Sequence, residues 1–447
     1  MDLVGKRVVV MGLGRFGGGL GAARFAIGQG ADVLITDLAS ADQLAGSLTH
    51  LKGLSVEYRL GRHVVGDFVR ADLIVVNPAV DLRHNRYLQA AQAAGVATTS
   101  EIRMLVQRLP QRGRTIGVTG TVGKSTVTAM IGHVLGRCAG EHRVHVGGNL
   151  GSSLLESLGR IKDDDWVVLE LSSFMLEDLG GDKWSPHIAV VTNLAENHLD
   201  RHHSYAAYVA AKQNIFAHQT EGDCAVLLRR YRRAFQLGDW RKPDRTLCFA
   251  QTPYRYLRTP LSVPGQHNRM NAVLALGAAH FTGVDCRQAQ QAIASFAGLP
   301  HRLHLVAERA AVRYVDDSKS TTPQATRTAL ASFDTGIVHA ILGGYDKAAP
   351  LEELGRAAMV RCRAIYTVGA TGDAIALASQ GGSAEVVACG TLDKAVAAAV
   401  ERVRPGDVVL LSPGCASWDQ FDNYQKRGEA FIEAVLKYTG DGAIDQE

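Results

Sequence analysis

No run of apolar residues in this 447-residue chain approaches the roughly 20 that a membrane-spanning helix needs, so no membrane partner is expected. Paired cysteines are missing too. The seven present (Cys138, Cys224, Cys248, Cys286, Cys362, Cys389 and Cys415) are scattered, odd in number and never spaced C-x-x-C. That argues against a disulfide framework or a zinc site and for reduced thiols. No charge of one sign dominates, since 48 Lys and Arg face 44 Asp and Glu for a net charge of +4. So slight an excess suits anionic small molecules and gives no reason to expect a nucleic-acid partner. Low-complexity tracts and short-period repeats are also lacking. The N-terminal VGKRVVVMGLG reads as a short buried strand followed by glycines, not as a signal peptide, and a cytoplasmic protein is expected. The chain is too long for one compact core, so two or three domains are expected.

The strongest positive signal is GVTGTVGKST, residues 117–126. Gly117, Gly120 and Gly123 let the backbone bend so that successive N–H groups face phosphate oxygens. After Thr126, the apolar residues Val127, Ala129, Met130, Ile131, Val134 and Leu135 recur at helical spacing. The loop therefore opens a helix, whose N-terminus favours an anion. Gly120, Thr121, Gly123, Lys124, Ser125 and Thr126 are candidate nucleotide-binding residues. Lys124 would reach the β- and γ-phosphates and the Ser125 hydroxyl would face Mg. The strict motif places glycine at 118, and Val118 makes this loop a variant.

Strand and helix patterns alternate over the first hundred residues: RVVVMGLG, a helix through Ala22 to Gly28, ADVLITD and ADLIVVNPA. This βαβ pattern implies a parallel sheet. LPQRGRT (109–115) and GLPHRL (298–303) mark boundaries, and strands WVVLELSS and IAVVTNL lie between them. Beyond 303, VRYVDDS, IVHAILGG, AIYTVGA, AEVVACG and DVVLLSPG alternate with Ala-rich helices, a second open sheet. The expected fold is α/β in three domains. These are a Rossmann-like domain over 1–100, a central P-loop ATPase-type α/β domain over 101–300, and a C-terminal Rossmann-like α/β domain over 301–447.

Gly12, Gly14 and Gly17 form G-x-G-x-x-G directly after a strand, and Asp37 ends the next one. Such an arrangement suits a dinucleotide's phosphates and ribose hydroxyl, with tight helix–strand packing as the structural alternative. Two nucleotide sites in one chain leave two options open: a dehydrogenase with an ATPase module, or a ligase whose substrate itself carries a nucleotide. Glu170 sits near the end of WVVLELSS, where ligands gather in open α/β sheets, and is a candidate Mg ligand. The strand IAVVTNL leads into AENHLDRH, bringing Asn193, Glu196, His198, Asp200 and Arg201 to its end. Lys212 lies on an Ala-rich helix whose partners would bury it. A buried lysine is easily neutralised and can be chemically modified, whereas most helix lysines only snorkel.

The runs GTVGKST, GGNLG, ELSSF, NLAENHLDRH, GQHNRMNA, LPHR, DDSKSTT, LGGYDK and SPGCASWDQF resemble, in order and spacing, the motifs of the Mur ligases over nearly the whole chain. ELSSF, DSKST and SPGCASWDQF, with the N-terminal glycines, are similar to the branch that adds D-glutamate to UDP-N-acetylmuramoyl-L-alanine. The resemblance implies an ATP-dependent amide ligase working through an acyl phosphate, and a monomer is expected. It implies that Gly14, Arg15, Phe16, Asp37 and Asn77 serve the UDP substrate and not NAD, with Asn149 close to that substrate. Lys124 and Ser125 would serve ATP and Mg, while Glu170 and His198 hold two Mg ions beside a carbamylated Lys212. Asn268 and Asn271 would lie on the adenine side, Arg302 at a phosphate and Asp317 at the ribose. Lys319, Thr321, Lys347 and Ser417 would hold the incoming glutamate, with Trp418 and Tyr424 near its pocket. Lys124, His198, Lys212, Asp317 and Lys319 form the expected catalytic set.

Several positions depart from the family's usual pattern. Asn197-His198 replaces Asp-His, Asn77-Pro78-Ala79 replaces Ser-Pro-Gly, Trp418 replaces a smaller aliphatic and Tyr424 replaces phenylalanine. Among rivals, a nicotinamide-dependent oxidoreductase leaves GKST, Glu170 and DDSKSTT without a role. A folate polyglutamate ligase has no use for the N-terminal glycines. A non-catalytic relative is at odds with intact Lys124, Glu170, His198, Lys212 and Asp317.

Overall fold

The computed structural model describes residues 2–14, 18–78, 80, 84–138, 140, 142–151, 153–231, 233–235, 257, 259–347 and 349–440, with Asp200 and 246–249 described by backbone alone. The chain forms two compact units, Met1–Thr259 with Asn271–Ile293, and Pro260–Met270 with Ala294–Glu447.

The first unit holds two sheets. One comprises β1 (Arg7–Met11), β2 (Asp32–Asp37), β3 (Glu57–Leu60), β4 (Leu73–Val76) and β5 (Ala97–Thr99), in the order β3-β2-β1-β4-β5. All its pairs are parallel. Its central strands are continuous apolar runs because both faces are covered. Val8, Val10, Ile35 and Val75 face one core, while Val9, Met11, Leu34 and Ile74 face the other. Side chains alternate across a strand, so a single run feeds two cores, each buried side chain contributing about 1.5–3 kcal/mol.

The second sheet comprises β6 (Thr115–Thr119), β7 (Val144–Gly148), β8 (Trp166–Glu170), β9 (Ile188–Val191), β10 (Cys224–Leu227) and β11 (Thr246–Phe249). Its order is β11-β10-β9-β6-β8-β7, again all parallel. Residues of both sheets share one hydrophobic core: Val8 and Ile35 belong to the same cluster as Leu105, Leu154, Leu169 and Val191.

The second unit holds β12 (His304–Arg309), β13 (Val312–Asp316), β14 (Val338–Gly343), β15 (Cys362–Val368), β16 (Glu385–Gly390) and β17 (Val408–Leu411), ordered β12-β13-β17-β14-β15-β16. This sheet is mixed, because β12 pairs antiparallel to β13 while the remaining pairs are parallel. The edge strand β12 is half-exposed and mixes charged with apolar residues, so its sequence carries no buried-strand signal. Among the described residues no helix is long and apolar enough to cross a membrane.

Each sheet has one central strand flanked by two strands that are not both its sequence neighbours: β1 between β2 and β4, β6 between β9 and β8, β17 between β13 and β14. The loops leaving the C-terminal ends of such strands diverge and open a crevice.

Candidate functional site

In the first unit, the loop after β6 runs from Gly120 to Gly123 into the helix Lys124–Cys138. Gly120 has φ 147°, and a Cβ there would stand 1.9 Å from the Thr192 hydroxyl. Gly123 has φ 81°, and its Cβ would come within 2.8 Å of Asn271 Oδ1. Only glycine fits at both points, so the loop keeps its backbone open toward the crevice. Asn193, just past β9, fixes the loop tip: its Oδ1 accepts from Val122 N–H at 3.0 Å and its Nδ2 donates to Val122 O at 2.8 Å. Lys124 Nζ donates to Thr121 O at 2.9 Å, and half-buried Ser125 and Thr126 occupy the first helical turn.

Lys212 is buried on the helix Tyr205–Ala217, which Ser204 caps by accepting the Ala207 N–H. Its Nζ donates to Gly120 O at 2.9 Å and to Thr119 Oγ1 at 3.3 Å, and lies 4.7 Å from the centre of the Tyr208 ring. Burial pushes this ammonium down to about 7, helped by Lys124 and opposed by Glu170. Tyr208 shares a 3.0 Å hydrogen bond with Thr121 Oγ1, joining the helix to the loop.

Glu170 ends β8 in the buried crevice floor. Its Oε1 accepts from Asn149 Nδ2 at 2.9 Å, whereas its Oε2 is buried without a hydrogen-bond partner. His198 is exposed and adopts a left-handed backbone, φ 53° and ψ 36°. Phe174 packs against it, with ring centres 5.2 Å apart, and stacks on His202 at the same distance. Arg201 lies 5.6 Å from the Phe174 ring centre and donates to Val80 O at 2.9 Å. The segment after β9 is thereby tied to the segment after β4.

In the first sheet, Asp37 Oδ2 accepts the Gly14 N–H at 3.2 Å and Oδ1 accepts the Ala39 N–H at 2.9 Å. Asn77 Nδ2 donates to Gly12 O at 3.2 Å, which closes the loop after β4 onto the loop after β1. Arg15, Phe16, Gly17 and Ala79 lie outside the described residues. A cavity of about 540 Å³ joins these loops to the phosphate-type loop. Gly14, Asn77, Lys124, Asn149, His198 and Lys212 all line it.

In the second unit, the loops after β13, β14 and β17 carry the candidate residues. Asp317 is buried, with Oδ2 accepting from Ser412 Oγ at 2.7 Å and Oδ1 from Leu303 N–H at 3.2 Å. Burial pushes its carboxyl up to about 6 against those hydrogen bonds. Lys319 Nζ sits 3.8 Å above the Tyr424 ring, and Lys347 Nζ sits 4.3 Å above Trp418. Thr321 N–H donates to Lys319 O at 2.9 Å, and Ser417 is buried. Trp418 is 60% exposed, large for an indole, and tilts against Tyr345. Arg302 N–H donates to Leu299 O at 3.1 Å, and Asn268 Nδ2 donates to Pro264 O at 2.7 Å.

Several residues that organise these sites carry no sequence signal. Arg427 is buried in the helix Tyr424–Thr439. It donates to Ser318 Oγ, Ser318 O, Cys415 O and Ala416 O, stitching the loops after β13 and β17 together. Tyr208 stands at a position that reads as an ordinary core aromatic, and Phe174 closes the ELSSF run with nothing in the sequence to show its contact to His198. Only their partners, Lys212 and His198, mark them out.

Comparison with known proteins agrees with this geometry. Family models match the chain as a Mur ligase MurD-like N-terminal domain over residues 6–100, a Mur ligase middle domain over 118–242 and a Mur ligase glutamate ligase domain over 301–415. The UDP-N-acetylmuramoylalanine–D-glutamate ligase of Roseiflexus sp. (strain RS-1) is 40% identical, covering 98% of this chain and all of the relative. The enzyme of that name from Acidobacterium capsulatum is 37% identical over 99% of each chain. Among solved structures, the UDP-N-acetylmuramate-alanine ligase MurC of Thermotoga maritima shares the fold with a TM-score of 0.60 at 20% identity, covering 97% of this chain and 99% of that one. The MurF ligase of Thermotoga maritima, solved in complex with ADP, gives a TM-score of 0.56 at 18% identity, covering 98% and 96%. Full-length similarity at this level and three matched domains in the same order establish that the chain belongs to the Mur ligase family.

Proposed function

We propose that this chain is an ATP-dependent amide ligase that joins D-glutamate to UDP-N-acetylmuramoyl-L-alanine in peptidoglycan precursor synthesis. The observation that carries the reading is the shared cavity of the first unit. It brings the phosphate-type loop after β6 and the glycine turn after β1 to one space, which supports a ligase with a nucleotide-bearing substrate. A hydride-transfer enzyme would leave Lys124, Glu170 and Lys212 without a role.

In the first step the alanyl carboxylate attacks the γ-phosphate of ATP, giving an acyl phosphate and ADP. In the second the amine of glutamate attacks the acyl carbon, and phosphate leaves from a tetrahedral intermediate. Two anions meet in the first step, so cancelling their charge dominates its barrier. Lys124 and the N–H groups of the loop after β6 would hold the β- and γ-phosphates, with Thr121, Gly120 and Gly123 shaping that backbone. Thr126 and Asn271 would lie beside them. Gly14 and Asp37 would hold the UDP moiety, and Asn77 and Asn149 the muramoyl part. In the second unit, Arg302, Asp317 and Asn268 would contact ATP. Lys319, Thr321, Lys347 and Ser417 would hold glutamate, with Trp418 and Tyr424 as walls. Lys347 and Lys319, each over an aromatic ring, offer cations for its two carboxylates.

Mg fits the donors present. The unpartnered, buried Oε2 of Glu170 is costly to leave unsatisfied, and a hard cation would satisfy it. Ser125, Glu170, His198 and Lys212, the last as its carbamate, would hold Mg ions, which when bound neutralise the phosphate oxygens. A lysine brought down to about 7 presents the uncharged amine that reacts with carbon dioxide.

The test is phosphate release by purified protein with ATP, Mg, UDP-N-acetylmuramoyl-L-alanine and glutamate, omitting each in turn. Release is expected only in the complete mixture, and with D- but not L-glutamate. Release with L-glutamate alone would overturn the stereochemical assignment, and no release with either would overturn the reading itself.

A further inference from the structure

Glu101 is a buried carboxyl with no place in the chemistry above. It opens the short helix Glu101–Val106, is 5% exposed, and lines the same cavity as Gly14, Asn77 and Lys124. Ser153 donates to Glu101 Oε1. The Ser153 hydroxyl also accepts the Leu155 N–H at 3.2 Å, so its own proton is free to point at the carboxyl. The backbone of Gly21 passes so close that a Cβ built there would stand 2.2 Å from Ser153 Cβ. The helix Gly18–Gly28 thus presses the serine into place with only a glycine's clearance. Burial pushes the Glu101 carboxyl up to about 7 against the Ser153 hydrogen bond. Among the described residues no ion pair neutralises it.

A buried carboxyl with no cation beside it suits a neutral donor. Between a nucleotide and a reacting carboxylate, the UDP substrate carries sugar hydroxyls and amide N–H groups. We propose that Glu101, oriented by Ser153, is a binding residue for this neutral sugar–amide portion, accepting a hydrogen bond from a hydroxyl or amide N–H. The inference rests on the ligase reading and names a specificity contact within it. A buried acceptor of this kind discriminates strongly, because a ligand lacking the donor leaves the carboxyl unsatisfied.

Calorimetry on the full chain separates the outcomes, with UDP and UDP-N-acetylmuramoyl-L-alanine as the two probes. Glu101→Gln is expected to weaken the second by about tenfold while leaving UDP within about twofold, and to raise KM for that substrate without moving KM for ATP. Should Glu101→Gln unfold, Ser153→Ala gives the same split between probes, with a smaller effect. Equal weakening of both probes, or of ATP as well, would show a structural role and overturn the proposal. Unchanged affinity for UDP-N-acetylmuramoyl-L-alanine would overturn it too. Wild-type protein that fails to bind this substrate overturns the ligase reading along with the inference, whereas wild type and variant binding it equally overturn the inference alone.

Discussion

Asp317 illustrates what burial does to a single carboxyl group. It ionises near 3.8 in the unfolded chain and near 6 in the fold, where desolvation outweighs the hydrogen bonds from Ser412 and Leu303. Between those values the native protein holds more protons, so this group's contribution to stability falls as pH rises, by on the order of 3 kcal/mol in all. Below the unfolded value the penalty vanishes, and above the folded value it is fully present. Asp317→Asn, neutral throughout, should flatten the fall in urea-unfolding stability between about pH 4 and 6. An unchanged slope would contradict the assignment. Lys124, proposed above to hold the transferred phosphate, is tested by separating turnover from substrate binding. Lys124→Ala should lower turnover about 10²–10³-fold while calorimetric affinity for UDP-N-acetylmuramoyl-L-alanine stays within about twofold. Lys212 was legible in sequence as a lysine on an apolar helix. Its Gly120 and Thr119 partners were not, because both reach it by long-range packing, whereas Tyr208 lies one helical turn before it.

At the scale of elements, the turn after β6 is held by contacts that tolerate no side chain. Gly120→Ala would force a Cβ onto Thr192 at a φ of 147°. It should cost about 1–3 kcal/mol in thermal unfolding and abolish phosphate release. Wild-type activity in this variant would show that the turn can open without loss. The same turn was readable as a motif, since glycine spacing, Lys124 and the following helical period all lie within one short stretch. The clasp made by Asn193 on Val122 and the bridge from Arg201 to Val80 were not readable as contacts. Polar residues in a loop carry no mark of which backbone they will hold. The edge strand β12 escaped for a different reason: half of its residues are His, Glu or Arg, and a bulge between Leu305 and Ala307 breaks the alternation of its faces.

Across the whole molecule, the three sheets repeat one device. A central strand (β1, β6 or β17) lies between strands from different parts of the sequence, and candidate residues stand at the C-terminal ends of that strand and of its neighbours. The buried central strands follow from apolar runs, and the α/β class follows from their alternation with helices, whereas exposed edge strands such as β3 and β5 carry no such run. Strand order does not follow, because β17 enters between β13 and β14 from far along the chain. This order is what places Ser412 beside Asp317 and Ser417 near Lys347's loop, so the second unit's site was legible only through its family motifs. The central claim is that the alanyl carboxylate is activated as an acyl phosphate. Oxygen-18 placed in the alanyl carboxylate of UDP-N-acetylmuramoyl-L-alanine tests it most directly, by mass spectrometry of the phosphate released with ATP and D-glutamate. The account predicts one labelled oxygen in each phosphate formed. Unlabelled phosphate accompanying amide formation would contradict it.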